Sequence, residues 1–219
     1  MKKFLLIAAA LLMVAVSCGQ KAESIRLQTL TSADIPGEIG YQGDLIEVYG
    51  YTDNTGENIV MLTETDVMQW GETEDGLILS NKTIFAYRFL KNNDNWEEVW
   101  RVYEMEFECE HYPIAEFVKG ALSVTDLDND GIAEIWLMYV KSCKGGVDPD
   151  AMFLRMYDNE EVYTMKGETK LELSDGTEKV IMGGEYTFDN KFLHQNTPPA
   201  FVDFAKKLWE KHVNYVGGR

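Results

Sequence analysis

Three aspartates at alternate positions, Asp126, Asp128 and Asp130, are the residues whose types and spacing most clearly predict chemistry in this chain. Carboxylate oxygens repeated in this way suit a hard cation such as Ca²⁺, which takes about six to eight oxygen ligands. Gly131 follows the third aspartate, where the chain needs a sharp turn. Three carboxylates at one turn also repel each other unless a cation lies between them. The sequence therefore predicts a calcium site, and the alternative is an acidic turn that binds no metal.

The loop is not an EF-hand, because Leu137 stands at the twelfth position, where that motif needs a bidentate glutamate. Its flanks are strand-like, since residues 121–125 lead in and the apolar segment 132–140 leads out. The loop therefore joins two predicted strands, and Glu134 and the backbone carbonyl of Ile132 are further predicted ligands. Between strands, this DxDxDGxxE pattern resembles the calcium loops of integrin-α-type extracellular proteins.

The N-terminus has the pattern of an export signal. Lys2 and Lys3 form a basic start, and residues 4–16 are a thirteen-residue apolar segment. This segment is shorter than the roughly twenty residues that span a bilayer. Small residues precede Cys18, as in a lipoprotein signal whose cysteine is lipidated and becomes the mature N-terminus. The alternative is a plain secretory signal with an incidental cysteine.

This interpretation divides the chain into a signal peptide over residues 1–17, a lipidated tether over 18–24 and one domain over 25–219. The residue after the cysteine is Gly19 and not aspartate. In this respect the chain resembles bacterial lipoproteins of the outer membrane. We expect an exported protein, anchored in the membrane through Cys18, that faces either the periplasm or the cell surface.

The strongly acidic composition bears on the choice of partner. The whole chain carries a net charge of −17, and removal of Lys2 and Lys3 leaves 18 basic against 37 acidic residues, a net charge of −19. Binding to phosphate groups needs clusters of Lys and Arg, and the sequence contains none. We therefore expect no nucleic-acid partner, and an acidic exported protein attracts divalent cations.

Two cysteines remain after Cys18 is assigned to lipid. Cys109 and Cys143 form an even pair in a protein that would fold in an oxidising compartment, so a disulfide is predicted. The bond would close a 35-residue loop that contains the predicted calcium site. We expect it to hold the strands on either side of that site.

The segment pattern predicts a mainly β fold of the α+β class. Short apolar segments alternate with turn signals about every ten residues, which indicates an antiparallel meander sheet or an incomplete barrel. Pro198 and Pro199 favour a helix start, with Asn196 or Thr197 as its cap. One amphipathic helix is therefore predicted at about 199–215, packed on the sheet. The predicted hairpins pair 45–51 with 58–63, 83–90 with 99–107, 152–157 with 162–166 and 171–173 with 179–181.

Most of the chain past the signal resembles a group of bacterial lipoproteins, found mainly in the Bacteroidota, that are associated with surface polysaccharide biosynthesis. The resemblance implies contact with envelope glycan and implies no reaction. The segments that carry it are 52–59, 85–87, Cys109, 125–134, Cys143 with Asp148 and Pro149, 154–157 and 163–167.

Beyond the acidic loop the sequence offers little catalytic chemistry. It has no metalloprotease histidine spacing, nucleophile elbow, P-loop or dinucleotide-binding glycine pattern. Trp70 and Trp96 stand beside polar residues and are candidate stacking faces for sugar rings. The leading hypothesis is a noncatalytic, lipid-anchored envelope protein with structural Ca²⁺ that contacts surface glycan or its assembly proteins. One alternative is a glycan-modifying hydrolase of the envelope that uses a pair of carboxylates and has calcium as a structural ion. A further alternative is a structural lipoprotein with no small ligand.

Overall fold

The computed structural model describes residues 25–174 and 176–218, so the predicted signal peptide, Cys18 and the tether lie outside the described residues. Fourteen strands, one short 3-10 helix (Ser32–Asp34) and one α-helix form within these ranges. The elements are β1 (Gln28–Thr29), β2 (Asp44–Asp53), β3 (Gly56–Glu64), β4 (Met68–Glu72), β5 (Ile78–Asn92), β6 (Asn95–Cys109), β7 (Tyr112–Phe117), β8 (Ser123–Thr125), β9 (Glu134–Lys144), β10 (Ala151–Asp158), β11 (Glu161–Glu168), β12 (Lys170–Ser174), β13 (Lys179–Gly183), β14 (Tyr186–Phe188) and α1 (Pro199–His212).

The strands form two large antiparallel sheets. In the first sheet the order is β1-β2-β3-β5-β4, and β6 pairs with the other side of β5. In the second sheet the order is β14-β11-β10-β9-β7, and β8 pairs with β9. Strands β12 and β13 form a separate hairpin. The predicted mainly β, antiparallel fold with one C-terminal helix is confirmed, and the sheets do not close into a barrel.

All four predicted hairpins are present, and the second one is longer than the sequence indicated. The polar segment 91–98 was predicted to be the connection, yet Lys91 pairs with Trp96 and Asn92 with Asn95. Only residues 93 and 94 form the turn, and Asn93 has a φ of 56°. Asparagine tolerates this left-handed conformation, so a two-residue turn is possible here. The prediction treated the polar residues 91–98 as a connection, but most of them are the ends of β5 and β6, which are polar because they lie at the surface.

The two sheets pack face to face, and apolar side chains fill each interface. One cluster lies between the sheets and includes Tyr51, Val60 and Ile84 of the first sheet with Ile135, Leu137 and Tyr139 of the second. A second cluster lies between the other face of the second sheet and α1. A third covers the outer face of the first sheet, where Leu30, Ile35 and Ile39 pack against it. The chain therefore forms four layers, with the sheets in the middle.

Helix α1 begins at Pro199, as the two prolines predicted, and buries Phe201, Ala205, Leu208 and Trp209. The predicted cap is wrong, because the N-cap is Pro198 and no side chain caps the helix. The Thr197 hydroxyl instead donates to the Lys191 carbonyl at 2.5 Å.

The helix also ends at His212, three residues before the predicted end. Beyond it the Val213 carbonyl accepts a hydrogen bond from the Lys170 backbone at 2.6 Å. Within the described part of the chain no helix has the length and apolarity needed to cross a lipid bilayer.

Cys109 and Cys143 form the predicted pair. Their sulfur atoms are 2.05 Å apart, the distance of a disulfide bond, and their Cα atoms are 5.3 Å apart. Cys109 ends β6 of the first sheet and Cys143 lies near the end of β9 in the second. The bond therefore joins the two sheets. The bond lies about 30 Å along β9 from the acidic loop, because Cys143 is nine positions beyond Glu134 in the strand. The expectation that it holds the strands on either side of the calcium loop is confirmed for β9, which follows the loop, and wrong for β8, which precedes it.

Candidate metal centre

The three aspartates lie in a hairpin loop at one end of the second sheet. Strands β8 and β9 are antiparallel, and Thr125 pairs with Glu134 at the last position of the ladder. Residues 126–133 form the connection and are called the acidic loop below. The prediction that this segment joins two strands is confirmed.

The carboxylates of Asp126, Asp128 and Asp130 converge. One oxygen from each lies within 4.8 Å of the others. Asp128 and Asp130 are exposed, whereas Asp126 is half-buried. Its Oδ1 is buried and has no hydrogen-bond partner among the described residues. A buried carboxylate oxygen without a donor is costly, and a cation at this position would satisfy it.

Hydrogen bonds inside the loop hold the aspartates in place. Asp128 Oδ1 accepts from the Asp130 backbone N–H at 3.2 Å, and Asp130 Oδ1 accepts from the Ile132 N–H at 2.7 Å. Asn129 and Gly131 both adopt the left-handed region, with φ of 62° and 83°. This backbone directs successive carboxylates to the same side.

Glu134 is not one of the three converging carboxylates. Its side chain is buried, and it accepts hydrogen bonds from the Thr125 hydroxyl at 2.5 Å and from the Leu127 N–H at 2.9 and 3.0 Å. Burial raises the pKa of Glu134, against the hydrogen bonds from Thr125 and Leu127, which lower it. These hydrogen bonds stabilise the start of the acidic loop across the hairpin. The structure thus gives Glu134 a hydrogen-bonding role, whereas its spacing predicted a metal ligand.

The β2–β3 turn of the other sheet packs directly on the acidic loop. The Asn54 backbone N–H donates to the Gly131 carbonyl at 2.8 Å, and the Ala133 N–H donates to Asp53 Oδ2 at 3.0 Å. The Asp53 side chain is fully buried and lies 3.9 Å from the Arg88 guanidinium. Each sheet therefore supplies one hairpin to the site. The sequence predicted the β2–β3 segment only as a turn. Its contact with the acidic loop was not predictable, because contacts between sheets leave no local pattern in the sequence.

Asp158 is a fourth carboxylate beside the loop that the sequence analysis missed. It ends β10 and pairs with Glu134 across the sheet. Burial raises the pKa of Asp158, and the negative charges of Asp128, Asp130 and Glu161 raise it further. Asp158 comes close to the loop only because of the register between β10 and β9. In the sequence it was marked only as part of the polar turn at 158–161.

The electrostatics of the loop match a cation site. Burial raises the pKa of Asp128, and the charges of Asp130 and Asp126 add to this, against backbone hydrogen bonds that lower it. A divalent ion would reverse that repulsion. The donor set fits Ca²⁺, because it consists of carboxylate oxygens in a flexible arrangement. Asp126, Asp128 and Asp130 would hold the ion, and Asp158 would add negative charge nearby.

The two candidate stacking tryptophans lie in different places. Trp70 is on edge strand β4 and 62% exposed, with its ring edge-on to Phe107 at 5.3 Å between centroids. Trp96 is half-buried and packs against the outer cluster of the first sheet. It also lines a cleft that Asp126 and Asp130 line as well. The structure thus brings Trp96, and not Trp70, to the side of the acidic loop.

Comparison of the chain with protein-family models, with curated proteins and with solved structures gives no match.

Proposed function

We propose that this chain is a lipid-anchored protein of the bacterial cell envelope whose β-domain binds Ca²⁺ at the acidic loop and associates with surface polysaccharide. The observation that carries the proposal is the convergence of Asp126, Asp128 and Asp130 within 4.8 Å, together with the unpartnered Oδ1 of Asp126. Millimolar Ca²⁺ outside the cytoplasm suits the weak affinity that is typical of extracellular calcium modules.

The acidic loop lies where both sheets meet, so an ion there would stabilise more than one hairpin. Gly131 and Ala133 both hydrogen-bond to the β2–β3 turn. Ion binding would therefore fix the contact between the sheets, which supports a structural role for Ca²⁺. We propose this role and assign no reaction to the ion.

The lipid anchor in this proposal rests on the N-terminal sequence. We propose that residues 1–17 are removed and that Cys18 carries the lipid, with the protein in the outer membrane. Metabolic labelling with a radioactive fatty acid tests this directly. The parent protein should incorporate label, and the Cys18→Ser variant should not. Equal labelling of both would remove the anchor from the proposal.

The hydrolase alternative gains little support from the carboxylates that line the cleft. Asp34 accepts from the Thr31 N–H and hydroxyl at 2.8 and 2.7 Å. Asp53 accepts from Ala133, Thr55 and Asn58 and faces Arg88. Both carboxylates accept hydrogen bonds from backbone N–H groups, and this is a structural role. A binding role therefore fits the site better than a proton-transfer role.

Calorimetric titration with Ca²⁺ tests the proposed function. The full chain in detergent should bind about one ion, with a dissociation constant of roughly 10⁻⁴ to 10⁻³ M. The double variant Asp126→Asn, Asp128→Asn should not bind, because two of the three convergent carboxylates lose their charge. Asp75→Asn, Asp94→Asn is a matched control, since both residues are exposed aspartates outside the cluster. Equal heats from the parent and the cluster variant would contradict the proposal.

A further inference from the structure

The first sheet carries an exposed aromatic surface on β4 and the end of β6. Trp70 of β4 and Tyr103 and Phe107 of β6 are 62, 56 and 44% exposed, and they are called the aromatic platform below. The rings of Trp70 and Phe107 meet edge-on, with their centroids 5.3 Å apart. The Tyr103 hydroxyl contacts Met105 Sδ at 3.4 Å.

The platform lies on the outer face of the first sheet. Side chains alternate along a strand, so Tyr103, Met105 and Phe107 share one face of β6. The Tyr103 ring lies 5.5 Å from Phe85 of the outer cluster, so this face points away from the second sheet. At roughly 200 Å² for each full aromatic side chain, the exposed fractions leave on the order of 300 Å² uncovered, within the size range of functional surface patches.

The strands and turns that carry the platform are acidic. Residues 65–81 and 102–112 contain no Lys or Arg. Six exposed carboxylates in these two segments have no ion-pair partner among the described residues. They are Asp66, Glu72, Glu74, Asp75, Glu108 and Glu110. On other parts of the surface, by contrast, the exposed carboxylates of Glu57 and Glu161 pair with lysines.

These charges decide which kind of partner fits the platform. A second copy of the chain is disfavoured, because it would bring the same unpaired carboxylates to the contact. An anionic membrane surface is repelled for the same reason. A neutral glycan would leave the carboxylates without cations. A basic partner with apolar side chains matches both the aromatic rings and the surrounding charge.

We propose that the aromatic platform binds a basic, apolar segment of a partner protein, with an arginine or lysine side chain over Trp70 and further cationic groups against the surrounding carboxylates. Most of the Trp70 indole is exposed and free to meet a cation. Tryptophan is the aromatic side chain that attracts cations most strongly. This partner contact goes beyond the proposed function, because it adds a protein partner at a second site.

The second site is far from the acidic loop. The turn before β3 contacts that loop, through Asn54 and Gly131, and β4 follows the other end of β3. Strand β3 has nine residues, Gly56–Glu64. Its two ends are therefore about 26 Å apart. Partner binding at the platform should accordingly not depend on calcium.

The test is calorimetric titration of the full chain in detergent with a heptapeptide of alternating arginine and leucine. Trp70→Ala should weaken binding at least fivefold, because the cation–π contact and the apolar area of the indole are both lost. Its melting temperature should stay within about 4 °C of the parent's, since the side chain is exposed. Leu193→Ala, at another exposed apolar residue outside the platform, is the matched control and should leave affinity unchanged. Equal affinity of the parent and Trp70→Ala would overturn the proposal.

A second pair of variants tests the charge complementarity. Glu72→Gln, Asp75→Asn should weaken peptide binding about threefold to tenfold at low salt, and less in about 0.5 M NaCl, because the charges are exposed. Asp94→Asn, Glu160→Gln removes the same charge from exposed turns outside the platform and should change affinity less than twofold. Equal losses from both pairs would indicate nonspecific attraction to an acidic chain and would overturn the proposal.

The other occupants are tested with the same Trp70→Ala variant. A neutral oligosaccharide, an anionic vesicle or a second copy of the chain that binds the parent more tightly than the peptide does, and is lost in Trp70→Ala, would overturn the proposal. The Asp126→Asn, Asp128→Asn variant should bind the peptide as the parent does, whether or not the parent binds calcium. Loss of peptide binding in that variant would contradict a separate site, whereas loss of calcium binding alone would bear only on the acidic loop.

Discussion

At the scale of single residues, Gly131 shows how tightly the acidic loop is built. Its φ of 83° lies in the region that favours glycine. A Cβ at this position would overlap the side-chain amide of Asn54, which would have to move. The backbone of the turn therefore favours glycine, and the contact with Asn54 adds to the cost of any side chain. The sequence pattern predicted the turn and could not predict the contact.

Replacement of Gly131 by alanine should lower the free energy of unfolding by about 2 to 3 kcal/mol, because the strain of the left-handed backbone adds to displacement of Asn54. Gly120→Ala is the control. Its φ is 71°, and a Cβ there would meet nothing within 4 Å. It should therefore cost only about 1 kcal/mol. Urea unfolding of both variants measures the difference, and equal losses would show that the Asn54 contact contributes nothing.

At the scale of elements, a partly buried charge cluster joins β6 of the first sheet to β9 and β10 of the second. Glu104 accepts from the Tyr139 hydroxyl and from the Lys141 ammonium, each at 2.9 Å, and pairs with Arg155. Burial acts to raise the pKa of Glu104, but the hydrogen bonds from Lys141 and Tyr139 and the charge of Arg155 outweigh it and lower the pKa. The ionised carboxylate therefore stabilises the contact between the sheets.

The pH dependence follows from the direction of this shift. Glu104 has a lower pKa in the folded than in the unfolded state, so its contribution is present above the unfolded pKa and is lost as pH falls through the folded one. Glu104→Gln should cost about 2 to 3 kcal/mol at pH 7, because Lys141 and Arg155 lose their carboxylate. The cost should shrink near pH 3. Urea unfolding at both values tests this, with Glu98→Gln, an exposed member of an ion pair, as control. An unchanged cost at low pH would contradict the assignment.

Strand patterns predicted the elements well and their packing poorly. Alternating apolar residues and turn signals were enough to identify the hairpins, because these features are local. The assignment of β5 and β6 to one sheet and β9 and β10 to another was not predictable, since it depends on contacts distant in sequence. The candidate site shows the same limit. Asp126, Asp128 and Asp130 stand close together in the sequence and were found, whereas Asp53 and Asp158 reach the loop only through sheet packing and register.

At the scale of the whole molecule, the Cys109–Cys143 bond joins the sheets far from the acidic loop, and the β2–β3 turn joins them close to it. The fold is therefore fastened at two places. The disulfide acts mainly by restricting the unfolded chain, so its effect should be on global stability. The contact of the turn with the loop is local and should affect ion binding.

The double variant Cys109→Ser, Cys143→Ser should lose about 3 to 4 kcal/mol of unfolding free energy, as chain entropy indicates for a loop of this length. Calcium affinity of the folded variant should stay within about twofold of the parent, because about 30 Å of strand separates the bond from the loop. Chemical unfolding and calorimetry measure the two quantities. A tenfold loss of calcium affinity in a folded variant would show that the bond does hold the site.

The central claim is that the acidic loop is a calcium site, and a crystal structure of the protein grown in millimolar CaCl₂ tests it most directly. We predict a single ion bound by Asp126, Asp128 and Asp130 at oxygen distances of about 2.3 to 2.6 Å, with Asp126 Oδ1 among the ligands. Anomalous scattering at long wavelength would distinguish calcium from water. An ordered loop with water at that position and Asp126 Oδ1 bonded to it would contradict the claim.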